Sequence, residues 1–131
     1  YGYNNRSAML RLPQTRFCIE NRAADMCMNP YLSLGLTAAA MTEGIVNGYS
    51  PGEPLNKDLY NMSEEAIDRS GAQRLPRNLL EAIEILRADD LARQVLGEAL
   101  MDSYLRYKLD EWERYHQAVT DWEVAEYLRL Y

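Results

Sequence analysis

The side chains best suited to chemistry crowd into one run, Arg16-Phe17-Cys18-Ile19-Glu20-Asn21-Arg22. A β-strand alternates its side chains with a period of two. On a strand, Arg16, Cys18, Glu20 and Arg22 share one face, while Phe17 and Ile19 share the other. Asn21 interrupts the apolar side, so the alternation is imperfect. One carboxylate flanked by guanidiniums on a rigid face suits two tasks. The arginine forks match carboxylate or phosphate oxygens and bind an anion. The carboxylate itself can hold a hard cation. The same spacing also describes a plain ion-pair ladder on a solvated face, which does no chemistry. Spacing alone leaves these readings open.

The elements that must position this run follow from local signals. Ser7–Leu12 reads as one strand and Thr15–Arg22 as a second, with Pro13 and Gln14 in a tight connection. An antiparallel hairpin at about 6–22 is the simplest pairing. A lone hairpin is marginal in water, so this one is expected to belong to a larger sheet. Asn29 and Pro30 then open a helix running to Val46, with Gly48 as its stop. That helix is apolar nearly all round and is expected to be buried. Residues 48–62 read as a turn-rich connection in which PGEP is a rigid turn, and 63–69 as a short helix broken at Ser70-Gly71. Asn78 and Glu81 form a capping box for a helix to Arg87, with Leu79, Ile83 and Leu86 on one face. Asp89 or Asp90 caps another helix that stops near Gly97.

A longer helix is expected from Glu98 or Ala99 to about Val119, striped by Leu105, Leu109, Trp112 and Tyr115 or His116. Thr120 and Glu123 make a second capping box, for a terminal helix to about Leu130. Trp112, Tyr115, Trp122 and Tyr127 are expected in helix–helix packing rather than a ligand cage. The expected fold class is α+β: a hairpin of an incomplete antiparallel sheet, then a helical region over 29–131.

Composition narrows the function classes. At 131 residues the chain fits one domain with a modest core, and 47% hydrophobic with 26% charged residues is ordinary for a soluble protein. A net charge of −6 argues against nucleic acid or an acidic membrane as the main partner. No apolar run has the length of a membrane span. Cys18 and Cys27 are too few for a disulfide framework, which suggests reduced thiols and a cytoplasmic location. His116 is the sole histidine, which excludes a multi-histidine zinc site. The first residue is Tyr1 rather than Met, on the approach to a strand, and the chain is expected to be a piece of a longer protein.

NRSAMLRLP at 5–13, the C-x-E-x-R run at 18–22 and NPYL at 29–32 together resemble one family segment. It is the C-terminal part of the catalytic domain of bacterial type I glutamine synthetases. GI at 44–45, PGEP at 51–54, Leu59-Tyr60 and the LP-x-N-L-x-EA pattern from Leu75 to Ala82 extend the resemblance along nearly the whole chain. It implies an ATP-dependent ligase of nitrogen metabolism that makes an amide from glutamate and ammonia through γ-glutamyl phosphate, with Mg²⁺ or Mn²⁺. By the same resemblance Glu20 is a metal ligand and Arg22 holds substrate glutamate. Arg6 and Arg11 contact phosphates of ATP, and Arg6 also acts catalytically on the acyl phosphate. The parent is then a homo-oligomer of stacked rings, a dodecamer, and this segment alone is inactive.

Cys18 stands where the family has the first arginine of R-x-E-x-R, with Arg16 two residues earlier on the same expected face. The loop ADMCMNPYL and the Asn21 of ENR look more like paralogues that join glutamate to an alkylamine, such as glutamate–methylamine ligases. Two rivals stay in play: a non-catalytic helical interaction module, and an inactive homologue that binds or regulates. An interaction module has no need of Arg6, Arg11, Glu20 and Arg22 at family spacing.

Overall fold

The computed structural model of the chain describes residues 1–128 and 130. Three short strands come first: β1 (Gly2–Tyr3), β2 (Leu10–Leu12) and β3 (Glu20–Asn21). Among the described residues six α-helices follow: α1 (Pro30–Val46), α2 (Glu64–Arg69), α3 (Leu79–Arg87), α4 (Asp90–Leu96), α5 (Glu98–Gln117) and α6 (Asp121–Tyr127), with a single 3₁₀ turn at Leu59–Asn61 between α1 and α2. The fold class is α+β. The chain forms two compact units, Tyr1–Leu75 and Pro76–Tyr131. No helix among the described residues is long and apolar enough to cross a membrane.

In the first unit the strand order is β1-β2-β3. β2 and β3 pair antiparallel, with Leu10 opposite Asn21 and Arg11 opposite Glu20. The expected hairpin pairing is present but shorter than the sequence suggests. Residues 13–19 are not strand, and 14–17 form a turn and bend. Phe17 is fully solvent-exposed and Ile19 more than half exposed, so the apolar face of that run covers nothing here. A strand is held by ladder hydrogen bonds to a neighbour, and β3 has only three residues of β2 to pair with. β1, read from sequence as a polar lead-in, pairs parallel to β2.

The helix boundaries follow their caps. The Asn29 side chain accepts from the amides of Tyr31 and Leu32, and Pro30 occupies the first turn of α1. Gly48 ends α1 at φ 63°, a left-handed conformation that costs glycine nothing. Ser63 caps α2, Asn78 caps α3 and Asp89 caps α4. Thr120 and Glu123 form the reciprocal capping box of α6. The expected last turn of that helix, to Leu130, includes residue 129, which lies outside the described residues.

The expectation for α1 is corrected: no residue of this helix is buried. Its apolar pattern states a demand for burial, and nothing in the first unit meets it. The aromatic residues are also corrected. Tyr115, Trp122 and Tyr127 are at least half exposed. Their ring contacts are local, with Trp112 and Tyr115 against His116 and Trp122 edge-on to Tyr127.

The second unit packs α5 against α3 and α4. Its core is Ile83, Ala92, Met101 and Leu105, with Met101 wholly inaccessible. Met101→Ala removes three side-chain heavy atoms from this small core. The expected cost is about 2–5 kcal/mol, whereas Met101→Leu costs less than about 1.5 kcal/mol. Denaturant midpoints of the two variants check this. Equal loss from both would mean that packing at Met101 does not hold the unit together.

Candidate functional site

The site grows from the register of β2 on β3. Because Arg11 lies opposite Glu20, the two side chains meet across the strands on one face. Arg11 Nη1 donates to Glu20 Oε2 at 2.8 Å. The bend before β3 returns Arg16 to the same carboxylate, where its Nη2 pairs with Oε1. Both oxygens of Glu20 are thus engaged by guanidiniums. The hydrogen bond from Arg11 first, and that from Arg16 second, hold the Glu20 carboxyl below its ordinary range. The same pairing raises Arg16. Arg11 also reaches Asn4 Oδ1 at 3.4 Å, and its buried Nε has no partner among the described residues.

The second pair of arginines is joined through backbone. Arg22 donates its main-chain N–H to the Met9 carbonyl at 2.8 Å, prolonging the β2–β3 pairing by one bond. Its side-chain Nε donates to the Arg6 carbonyl, also at 2.8 Å. Arg6 itself is exposed, and its guanidinium has no hydrogen bond or ion pair among the described residues. Arg6 and Arg11 line one open hollow of about 500 Å³, together with Asn4, Asn56, Asp58 and Tyr60. Glu20 and Arg22 lie outside its lining.

The four residues singled out from the sequence therefore form two linked pairs, Arg11 with Glu20 and Arg6 with Arg22. The period-two face of Arg16, Cys18, Glu20 and Arg22 does not exist as a strand face. Arg16 nonetheless reaches Glu20, while Cys18 is an exposed free thiol. The sequence reading took PGEP for a rigid turn and Leu59-Tyr60 only as part of the resemblance, and missed that Asn56, Asp58 and Tyr60 line the hollow with Arg6. It also missed Asn5 and Ser7, the polar neighbours of Arg6 in NRSA, whose position on either side of an arginine is the signal that could have found them.

Such an arrangement can neutralise and orient an anion at Arg6 and favours the ionised form of the Glu20 carboxyl. As a metal site it is incomplete. Carboxylate oxygen suits Mg²⁺ or Mn²⁺. No group of three or more His, Cys, Asp or Glu among the described residues could hold an ion, so Glu20 offers one donor of a set.

A family described as the glutamine synthetase catalytic domain matches residues 1–127. The chain is 41% identical over 131 residues to a glutamate–methylamine ligase of Methyloversatilis universalis, covering all of this chain and 29% of that protein. It is 37% identical over 133 residues to a glutamine synthetase of Methanosarcina mazei, covering 99% of this chain and 30% of that protein. Among solved structures, it superposes on a ligand-free GmaS with a TM-score of 0.80 at 35% identity, over 98% of this chain and 29% of that one. A GmaS/ADP complex superposes with a TM-score of 0.82, at the same identity and coverage. The chain spans about three tenths of the length of the curated relatives it matches.

Proposed function

The chain belongs to the glutamine synthetase catalytic-domain family, and from that premise we propose that residues 1–131 are the C-terminal part of the catalytic domain of an ATP-dependent glutamate–amine ligase. The observation that carries the reading is the Arg11–Glu20 pair together with the bond that joins Arg22 to the Arg6 peptide. These contacts fix one carboxylate and tie two further arginines together within residues 6–22.

In the proposed reaction a γ-carboxylate oxygen of glutamate attacks the terminal phosphorus of ATP, and the bond to ADP breaks. The amine nitrogen then attacks the γ-carbonyl carbon of the acyl phosphate. Phosphate leaves with the C–O bonding pair, and the nitrogen loses a proton. Phosphoryl transfer of this kind needs positioning and charge neutralisation more than covalent help. Arg6, exposed and unpaired, is the phosphate contact in both steps. Arg11 lines the same hollow and shares that task, while its Nη1 keeps Glu20 in place. Arg22 presents its guanidinium to a carboxylate of glutamate. Glu20 would offer one oxygen donor to a Mg²⁺ or Mn²⁺ ion, the other donors lying outside these residues, and such an ion would supply charge neutralisation to the phosphates. We place the parent in the cytoplasm as a ring-shaped homo-oligomer, and the segment alone as inactive.

The amine is the finer part of the proposal. The relative named for methylamine is somewhat more similar to this chain than the glutamine synthetase of Methanosarcina mazei is, which supports a short alkylamine. An extra methyl is worth about 1 kcal/mol in an apolar pocket, so discrimination is modest, on the order of tenfold. A ligase of full family length carrying this segment is expected to use methylamine or ethylamine at least as efficiently as ammonia. Specificity constants for the three amines test this. Strong preference for ammonia would make it a glutamine synthetase, and absence of any amide product would return it to the non-catalytic readings.

A further inference from the structure

We infer that Asn5 is a positioning residue that sets Arg6, and through Arg6 also Arg22, by clasping the arginine segment to the loop at residues 51–60; this rests on the ligase reading above. Asn5 is only 9% exposed, the one buried polar side chain among the described residues. Its Nδ2 donates to the carbonyls of Leu55 at 2.6 Å and Lys57 at 2.9 Å. Its Oδ1 accepts from the Ser7 amide at 2.9 Å and from the Ser7 hydroxyl at 2.6 Å. An amide side chain has two N–H donors and two acceptor lone pairs, and all four are used. The Ser7 hydroxyl in turn accepts from the Leu59 amide at 2.9 Å.

Further bonds run beside these. The Leu55 amide donates to the Tyr1 carbonyl at 2.8 Å. The Tyr3 amide donates to Asn56 Oδ1 at 2.9 Å. Gly2 makes the close approach possible, since a Cβ there would lie 2.3 Å from the Leu55 carbonyl oxygen and 2.7 Å from Asn5 Cβ.

Arg6 lies between the two clasped residues. Its main chain is fixed on both sides while its guanidinium is left free. The carbonyl that receives Arg22 Nε belongs to this same fixed peptide. A shift of the 51–60 loop therefore moves both arginines together. A fully satisfied buried amide specifies one geometry, because any other leaves polar groups unpaired.

The test uses a ligase of full family length carrying this segment. Asn5→Ala and Asn5→Asp are expected to lower kcat/KM on the order of 10²-fold, the effect of about 1 Å of misplacement. In a double-mutant cycle, Asn5→Ala costs clearly less in the Arg6→Ala background than in the parent, because the part of its effect that runs through the Arg6 guanidinium is already gone and only the part passed to Arg22 by the Arg6 carbonyl remains. Losses that multiply would assign Asn5 a general structural role, and an Asn5→Ala enzyme within about twofold of the parent would also overturn the inference. Should Asn5→Ala fail to assemble, Ser7→Ala removes one bond on each side of the clasp and is expected to give a smaller loss with the same non-additivity. Hydrogen exchange supplies a readout independent of turnover: the Ser7 and Leu59 amides are protected in the parent, the Leu59 amide loses protection in Ser7→Ala, and the Ser7 amide loses it in Asn5→Ala. Unprotected amides in the parent would sink the clasp itself. Protected amides in a protein that makes no amide product would sink the ligase reading instead.

Discussion

In a ligase of full family length carrying this segment, Glu20→Ala lowers turnover by about 10³-fold at saturating ATP and glutamate, and extra metal does not restore it. The size is the upper end of the roughly 10²–10³-fold that one preorganised group contributes at a transition state. Removing the carboxylate also strands Arg11, whose side chain is only 17% exposed, whereas Arg16 at 65% returns to water. Arg22→Ala has a different signature: the glutamate concentration needed for half-maximal rate rises while the ATP requirement stays near the parent's. Separate titrations of metal, ATP and glutamate distinguish the two variants. Unchanged kinetics for Glu20→Ala would remove the site assignment. Glu20 is also not the source of an acidic limb in the pH profile near neutrality. Its pKa is depressed in the folded chain, so its contribution is present above the ordinary carboxylate range and fades only as pH falls through the lower folded value.

The second large effect concerns α1. Tyr31, Leu34, Met41 and Ile45 recur at helical spacing on one face, and all four are more than half exposed. The 131-residue chain by itself is expected to self-associate at micromolar concentration, because an uncovered apolar face of this kind drives association. Leu34→Asp with Ile45→Asp disperses it, as sedimentation would show. The same pair placed in a full-length ligase is expected to prevent assembly, because there it would put two unpaired charges into a covered face. A monodisperse chain without the substitutions would mean that α1 needs no cover.

Local features were readable in the sequence because each one is decided within a few residues. Asn29, Asn78, Asp89, Gly97 and Thr120 mark the helix ends by satisfying or terminating nearby backbone groups. The sheet was less readable, since the length of a strand depends on how much partner it finds. Thr15 to Ile19 alternates like a strand yet has no neighbour to pair with. β1 gains its strand character from Leu12, nine residues away from Tyr3. Family spacing brought Arg6, Arg11, Glu20 and Arg22 forward as a set. It could not say that Arg11 and Arg16 would share one carboxylate, because that depends on the β2–β3 register and on the bend between them. Nor does any local pattern join Asn5 to Leu55.

That last separation also bears on the order in which the chain acquires its structure. The bonds from Asn5 to Leu55 and Lys57 close a loop of about 50 residues, with all of α1 inside it. Loop closure of this length costs roughly 3 kcal/mol of chain entropy before any contact is gained. Local helical turns close faster than contacts so distant in sequence. On a ribosome the arginine segment emerges ahead of the loop that frames it and waits for some fifty further residues before its backbone can settle. The part of the molecule assigned to chemistry is thus among the last to be completed, and a stall in synthesis before Leu55 leaves Arg6 without its frame.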